Sequence, residues 1–413
     1  MIPIDKDVLG MEDPKQVVVL GSSPGLCDRL RLAGADITLV EAPERFDKAL
    51  ASFVKRSVLT EYDDPSLIPL LRGIHGHTPF TAVISLTEQG LMPAARIAET
   101  LGIRGLSQDV VARTRDKFAM RTWLRDKGFS SVPCAVVRDV AGIQGFAARH
   151  GFPVIVKPRH GQGSQNVSCF RTADEVVLPP ASTDDYIAEP FHLGPEFSVE
   201  AFSCAGEHHV LAITGKFTHE DDPANPFVEV GHVVPADIAP EVVDAITEYV
   251  VEFLDVMGIA DGCSHTELRM TSAGPEVIET HTRVGGDSIP VLVRQATGHD
   301  LLDLTVQWAL DRIGPPRTTP SAHGAAAIRF FTPPQGWVVG VAGVQRWQGL
   351  PGVLQLNLPV KVGDRIHPVQ NSRTRVGYVL ATAPTPARAI EICRKVTSGV
   401  RIDVSPEPPR GRR

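Results

Sequence analysis

The chain opens with short apolar runs separated by stretches of helical spacing. Gln16–Gly21 (QVVVLG) is apolar and ends in glycine, which predicts a buried parallel strand. Leu26–Ala33 has the spacing of a helix, and Asp36–Val40 (DITLV) repeats the strand pattern. Thr81–Leu86 (TAVISL) repeats it again, followed by helical periodicity over Gly90–Leu101. Strand and helix alternating in this way predict a parallel α/β domain. The turn Gly21-Ser22-Ser23-Pro24-Gly25 lacks GxGxxG and Pro24 removes an amide donor, so no dinucleotide site is expected there.

Further along, Gln108–Lys127 reads as one helix with alternating cations and apolar residues. Ala135–Arg138 and Pro153–Pro158 (PVIVKP) read as strands around the helix-like Gly142–His150, and His160–Gln165 (HGQGSQ) is too glycine-rich for either element. Tyr186–Glu189 and Glu196–Ser203 are further strands. Thr218–Pro240, with its prolines and acids, is expected to be a long loop, and loops of that length are often functional. A helix over Pro240–Val256 precedes two strands, Ser264–Met270 and Glu276–Glu279, joined by a turn at Ser272–Gly274. Gly314–Gly324 (GPPRTTPSAHG) looks like a linker, Ala325–Val400 mixes strands, turns and a helix near Pro386–Val396, and the tail after Ser405 is expected to be disordered. No internal repeat is visible.

Composition narrows the class. A length of 413 residues exceeds one compact core and predicts two or three domains. The proportions, 43% hydrophobic and 22% charged, are those of a soluble enzyme. A net charge of −7 argues against a nucleic-acid binder, yet a few local cations suffice for a phosphate ligand. Cys27, Cys134, Cys169, Cys204, Cys263 and Cys393 form no CxxC pair or zinc spacing, so reduced thiols are expected. The polar, acidic start, Met1 to Gln16, does not read as a signal peptide, and no run is long enough to span a bilayer. A cytoplasmic protein is expected.

Three groups of residues carry chemistry. Glu267 and Glu279 lie on neighbouring segments that would form adjacent antiparallel strands, so both can point into one cleft. Hard carboxylate oxygens in that arrangement suit Mg²⁺, and Arg283 adds a planar donor for phosphate or carboxylate. The alternative is a hairpin whose acids face water. Lys157 ends an apolar strand and needs an anionic partner, Lys117 lies on the helix upstream, and Gly161-Gln162-Gly163-Ser164 offers backbone amides for phosphates. Here the alternative is a turn beside a snorkelling lysine. Glu189-Pro190-Phe191 followed by Glu196 can frame a base and a ribose, although loop glutamates are usually solvated.

In chain order, these features are a helix lysine, a strand lysine before a glycine loop, a Glu-Pro-aromatic segment and a Glu…Glu-x-x-x-Arg array. Over about residues 16–400 this order resembles the ATP-grasp superfamily, and within it the bacterial L-amino-acid ligases that make dipeptides. Glu279–Asp287 follows that group's E-x-N-x-R-x-GG(D) pattern except at His281, where Asn is typical. Phe227–Pro235 (FVEVGHVVP), Ala327–Pro334 (AIRFFTPP) and Gly363–Tyr378 (GDRIHPVQNSRTRVGY) are similar to it as well.

The resemblance implies an ATP-grasp fold, α/β in class, with an N-terminal parallel α/β domain over residues 1–112 and a small lid subdomain over 113–190. A larger antiparallel-sheet domain over 191–413 would include a terminal α/β extension at about 320–400. It implies that Lys117, Lys157, Gly161, Gly163 and Ser164 bind ATP phosphates, Glu189 and Phe191 the adenine, and Glu196 the ribose. Glu267, Glu279 and His281 would form the metal site, and Arg283 with Lys157 would be catalytic. Glu229, His232, Arg329, Gly286 and Asp287 would bind substrate. Imidazole is a poorer Mg²⁺ ligand than an amide oxygen, so His281 leaves Mn²⁺ as an alternative metal. The implied reaction joins a carboxylate, an amino acid or another, to an amine through an acyl phosphate, with ATP and Mg²⁺. Neither nucleic acid nor membrane is an expected partner, and a homodimer is common among similar proteins. The rival readings are a bicarbonate-using enzyme like biotin or purine carboxylases, and a nucleotide-binding module without catalysis.

Overall fold

The computed structural model describes residues 13–178, 185–218, 227–312 and 324–408. Most of the expected polar start and of the expected linker, part of the expected long loop and the end of the tail lie outside these residues. The chain forms two compact units, one holding residues up to 111 and a return segment from 302, the other residues 112–301 and the C-terminal segment.

The first unit begins with β1 (Gln16–Leu20), α1 (Pro24–Leu32), β2 (Asp36–Glu41), β3 (Arg56–Leu59), α2 (Leu67–His77), β4 (Phe80–Ser85) and α3 (Glu88–Leu101). Its four strands are parallel in the order β3-β2-β1-β4. Val17, Val18, Val19 and Leu20 are fully buried, which is why β1 reads as an unbroken apolar run rather than an alternation. The Thr87 hydroxyl caps α3 by accepting from the Gly90 amide, and Gly102 closes it in the left-handed conformation. β3 and α2 escape the sequence pattern: β3 has four residues, and α2 carries Pro69, Gly73 and Gly76.

The predicted helix over Gln108–Lys127 is two helices, α4 (Gln108–Arg115) and α5 (Lys117–Asp126). Asp116 makes the break: its carboxylate accepts from the Phe118 and Ala119 amides, both at 3.0 Å, and is clamped by Arg159. Lys117 therefore starts α5, and Arg121 lies one turn later on the same face. Then come β5 (Ala135–Val137), α6 (Val140–His150), β6 (Val154–Pro158), β7 (Ser168–Phe170) and β8 (Tyr186–Pro190). They form a small antiparallel sheet ordered β5-β8-β6-β7, whose core includes Phe146, Val154, Val156 and Ala188 under α6.

The larger sheet draws on β9 (Glu196–Cys204), β10 (Glu207–Thr218), β11 (Glu229–Val234), β12 (Gly262–Thr271) and β13 (Gly274–His281), with α7 (Pro240–Met257) between β11 and β12. After α8 (Ile289–Thr297) and α9 (Leu301–Ala309) follow β14 (Ala325–Phe330), β15 (Gly336–Ala342), α10 (Val344–Gln348), β16 (Val353–Asn357) and β17 (Arg365–Ile366). The described chain ends with β18 (Tyr378–Ala383), α11 (Pro386–Gly399) and β19 (Arg401–Ser405). Eight antiparallel strands run in the order β13-β12-β9-β10-β11-β14-β18-β16, and β17-β15-β19 form a separate small sheet. A parallel α/β N-terminal part with antiparallel sheets in the larger part is the fold class the sequence predicts. One element corrects the reading: β11 runs through the expected loop Thr218–Pro240. Its glutamate, glycine and histidine look unlike a buried strand until their partners are seen.

Candidate active site

Lys157 closes β6 and Glu189 closes β8, its neighbour, so both side chains arrive at one end of the small sheet. One Glu189 oxygen meets Lys157 at 2.8 Å and the other meets Arg121 at 2.8 Å. Burial acts to raise the Glu189 carboxyl, but the two cations outweigh it and hold the group at about 2. The Phe191 amide donates to the Pro153 carbonyl, leaving the Phe191 ring edge-on to Phe227 and beneath the Arg269 guanidinium.

Glu267 and Glu279 are cross-strand partners in β12 and β13. Lys117 reaches Glu279 at 2.7 Å and also donates to the Gly161 carbonyl at 2.9 Å. Lys216, from β10, lies 2.8 Å from Glu267, 3.0 Å from Glu196 and 3.1 Å from Glu229. Burial would lower the Lys216 ammonium, yet Glu267, Glu196 and Glu229 lift it well above its ordinary value. Burial likewise acts against both carboxylates, and Lys216 with His265 for Glu267, and Lys117 with His281 for Glu279, hold them well below the usual range. Behind Glu267 stands His265, 3.1 Å away through Nε2, with its Nδ1 against the fully buried Glu200 at 2.8 Å. Burial opposes protonation of His265, but Glu200 and then Glu267 raise it to about 9.

A cleft of about 780 Å³, including its open mouth, opens beside these groups, a size suited to a nucleotide. Lys117, Lys157, Gly161, Ser164, Glu189, Phe191, Glu196, Glu267 and Glu279 all face it. Of the expected ATP-binding residues, Gly163 does not line it; its backbone is left-handed at φ 67°, and its carbonyl accepts from the Ser372 amide at 3.4 Å. Two cross-strand carboxylates kept ionised are hard oxygen donors and fit Mg²⁺. His281 points its Nε2 at Glu279, 3.4 Å away, and so steadies that carboxylate. Among the described residues, no group of three or more His, Cys, Asp or Glu is arranged to hold a metal.

The expected substrate residues fall into two places. His232, almost fully buried in β11, meets Asp287 at 3.2 Å, and Asp287 is gripped in a bidentate pair by Arg375 at 2.8 and 2.5 Å. Burial pushes the Asp287 carboxyl up, and His232 and Arg375 bring it well below its usual range. Glu229 accepts from the Ser372 hydroxyl at 2.9 Å, and Arg375 lies over the Phe330 ring, 3.5 Å from its centre. Gly286 precedes Asp287 in the same turn. Arg283 donates to Gln162 of the glycine loop at 3.2 Å, which joins this group to the cleft.

Arg329 lies apart from these residues. Side chains alternate along β14, and Phe330 takes the face of His232 while Ala325 and Ala327 pack under α11. Arg329 lies on the α11 side, where burial, then Arg394, lower its guanidinium. Arg375 meets Asp287 instead. It lies within Gly363–Tyr378, a segment that resembles the ligase group. Lys216, Arg121 and the Glu200–His265 pair also escaped sequence reading. Lys216 carries the same signal as Lys157, a lysine after an apolar strand run, and Arg121 follows Lys117 by one helical turn.

Comparison with known proteins agrees with this geometry. Residues 30–105 match the ATP-grasp N-terminal domain, residues 150–291 the ATP-grasp domain, and residues 329–405 the L-amino acid ligase C-terminal domain 2. The chain thus carries an ATP-grasp N-terminal domain and an ATP-grasp domain. It carries, in addition, the C-terminal domain of the L-amino acid ligases. Over 386 residues it is 26% identical to an uncharacterized protein, y4rH, of Sinorhizobium fredii, covering 92% of this chain and 79% of the relative. Dapdiamide A synthase of Enterobacter agglomerans is 25% identical, over 84% of this chain and 85% of that protein. The crystal structure of an L-amino acid ligase from Bacillus licheniformis superposes with a TM-score of 0.80 at 22% identity, covering 96% of this chain and all of that one, and so shares its fold. Among the described residues, no helix is long and apolar enough to cross a membrane.

Proposed function

We propose that this chain is an ATP-dependent carboxylate–amine ligase that joins two amino acids through an acyl phosphate, releasing ADP and phosphate. The observation that carries the reading is the single cleft in which Lys117 and Lys157 meet the cross-strand pair Glu267 and Glu279 beside the glycine loop. Relatives named alanine–anticapsin ligase and L-arginine-specific L-amino acid ligase support the reaction class.

The Phe191 and Phe227 rings give apolar contact for the adenine, and Glu196 accepts from the ribose hydroxyls. Lys117 and Lys157 turn to the phosphates, and the loop from Gly161 to Ser164 covers them with backbone amides. A divalent cation held by Glu267 and Glu279 would neutralise charge on the phosphate oxygens. The substrate carboxylate attacks the γ-phosphorus in line, and its oxygen becomes the bridge of the acyl phosphate while ADP leaves. Arg283 bonds the transferred phosphoryl group from the substrate side. Residues 113–190 act as the lid that keeps water off the acyl phosphate. The amine then attacks the acyl carbon, and the tetrahedral intermediate expels phosphate. Glu229 and His232 face the amine substrate; His232 is oriented by Asp287.

The test is incubation of purified protein with ATP, Mg²⁺ and pooled amino acids, following ADP, phosphate and product masses. Amino-acid-dependent ADP with a mass of two substrates less water is the expected result. ADP formation that needs bicarbonate instead, or no turnover above background in the presence of bound nucleotide, would overturn it.

A further inference from the structure

Lys216 is deep in the site, yet the chemistry above gives it no task. Its side chain is 1% exposed, and its three carboxylate partners come from three different strands: Glu196 from β9, Glu229 from β11 and Glu267 from β12. One positive charge is held by three negative ones. The second Glu267 oxygen is occupied by His265, and Glu279 is occupied by Lys117. Both carboxylates offered to a divalent cation are thus already matched by an ammonium group.

In a cleft walled by protein, charges act on each other more strongly than in water. A bare divalent ion entering this site meets an ammonium group at each ligand and must displace Lys117 from Glu279 with no phosphate to receive its charge. A nucleotide changes the balance. Its phosphates give Lys117 a new anionic partner, which releases Glu279, and they bring the negative charge that makes a second cation tolerable. Lys216 can then leave Glu267 without being stranded, because Glu196 and Glu229 remain its partners.

We propose that Lys216 is the resident counter-ion of the cation site. In the empty protein it fixes Glu267 and keeps a bare divalent ion out; when nucleotide arrives, it yields Glu267 and retreats to Glu196 and Glu229. Glu267 passes from ammonium to metal without a stage at which it is buried and unpaired. Lys216 is a positioning residue in this scheme, and the scheme rests on the nucleotide and cation roles proposed above. One consequence is obligatory order: the cation binds with the nucleotide or after it, never before.

The experiment measures Mn²⁺ binding to the full chain by the electron paramagnetic resonance signal of free Mn²⁺, with and without ADP. The wild-type protein is expected to bind Mn²⁺ only when ADP is present. Lys216→Met is expected to bind it without nucleotide at least about tenfold more tightly than wild type, the scale on which supporting groups tune metal sites. Mn²⁺ alone should then raise the Tm of that variant and leave the wild-type Tm unchanged. Lys216→Arg keeps the charge and the wild-type pattern is expected, so the inference stays testable if the methionine variant folds poorly. Wild-type protein binding Mn²⁺ equally well without ADP, or an unchanged nucleotide-free affinity in Lys216→Met, would overturn the exchange. Failure to bind Mn²⁺ even with ADP would overturn the cation site itself, and the exchange with it.

Discussion

Glu279 joins a lysine to the opposite carboxylate, Glu267, in a space where neither is fully hydrated. Glu279→Gln preserves the shape and removes the charge, so ATP turnover should fall by about 10²- to 10³-fold, as when one charge-stabilising group is lost. The far-ultraviolet circular dichroism spectrum should be unchanged; wild-type turnover in that variant would contradict the assignment. Glu189 gives a pH prediction. Its carboxyl lies at about 2, below the usual 4.5, so the stability it adds is complete above pH 4.5 and is lost as pH falls through about 2. Glu189→Gln should flatten the pH dependence of Tm between those values. It should also cost about 3–5 kcal/mol at neutral pH in urea unfolding, because Arg121 and Lys157 lose their shared anion. At this scale the sequence was legible where a charge interrupts an apolar run, as at Lys157. The partner that satisfies a charge was not legible, because Glu189 lies on another strand and Arg375 is 88 residues beyond Asp287.

The element scale shows how short local signals set those side chains. Asp116 divides what sequence periodicity presents as one helix, and by doing so places Lys117 in the first turn of α5. Asp116→Ala removes the cap and the partner of Arg159, so a loss of at least about 1 kcal/mol is expected. The KM for ATP should rise more than kcat falls, since α5 carries Lys117 and Arg121 into the cleft; unchanged KM would separate the cap from nucleotide binding. β12 and β13 were readable because their turn and alternation are local. β11 was not, since Glu229 and His232 are buried only by virtue of Lys216 and Asp287, from elsewhere in the chain. Gly285 belongs to this scale too. A Cβ there would stand 2.8 Å from His265 Nδ1 and 3.1 Å from Glu200 Oε2, so the glycine makes room for the pair behind Glu267. Gly285→Ala should therefore cost about 1–3 kcal/mol as an overpacked core does, measured by thermal unfolding. A variant as stable as wild type would show that the pair can move aside.

Over the whole molecule, the order of signals was more legible than any one of them. Parallel strands β2 to β4 fall within the ATP-grasp N-terminal match, and the lysine, the glycine loop and the paired glutamates follow in that order within the ATP-grasp domain match. What the sequence could not supply was convergence: β6, β8, β9, β12, β13 and α5 meet at one cleft through long-range pairing that no local pattern encodes. The central claim is that a substrate carboxylate becomes an acyl phosphate and then an amide. Amino acids labelled with ¹⁸O in the carboxylate, incubated with the protein, ATP and Mg²⁺, test it directly. One labelled oxygen should appear in the phosphate released with each product formed, and none in ADP; phosphate released with product but free of label would contradict the account.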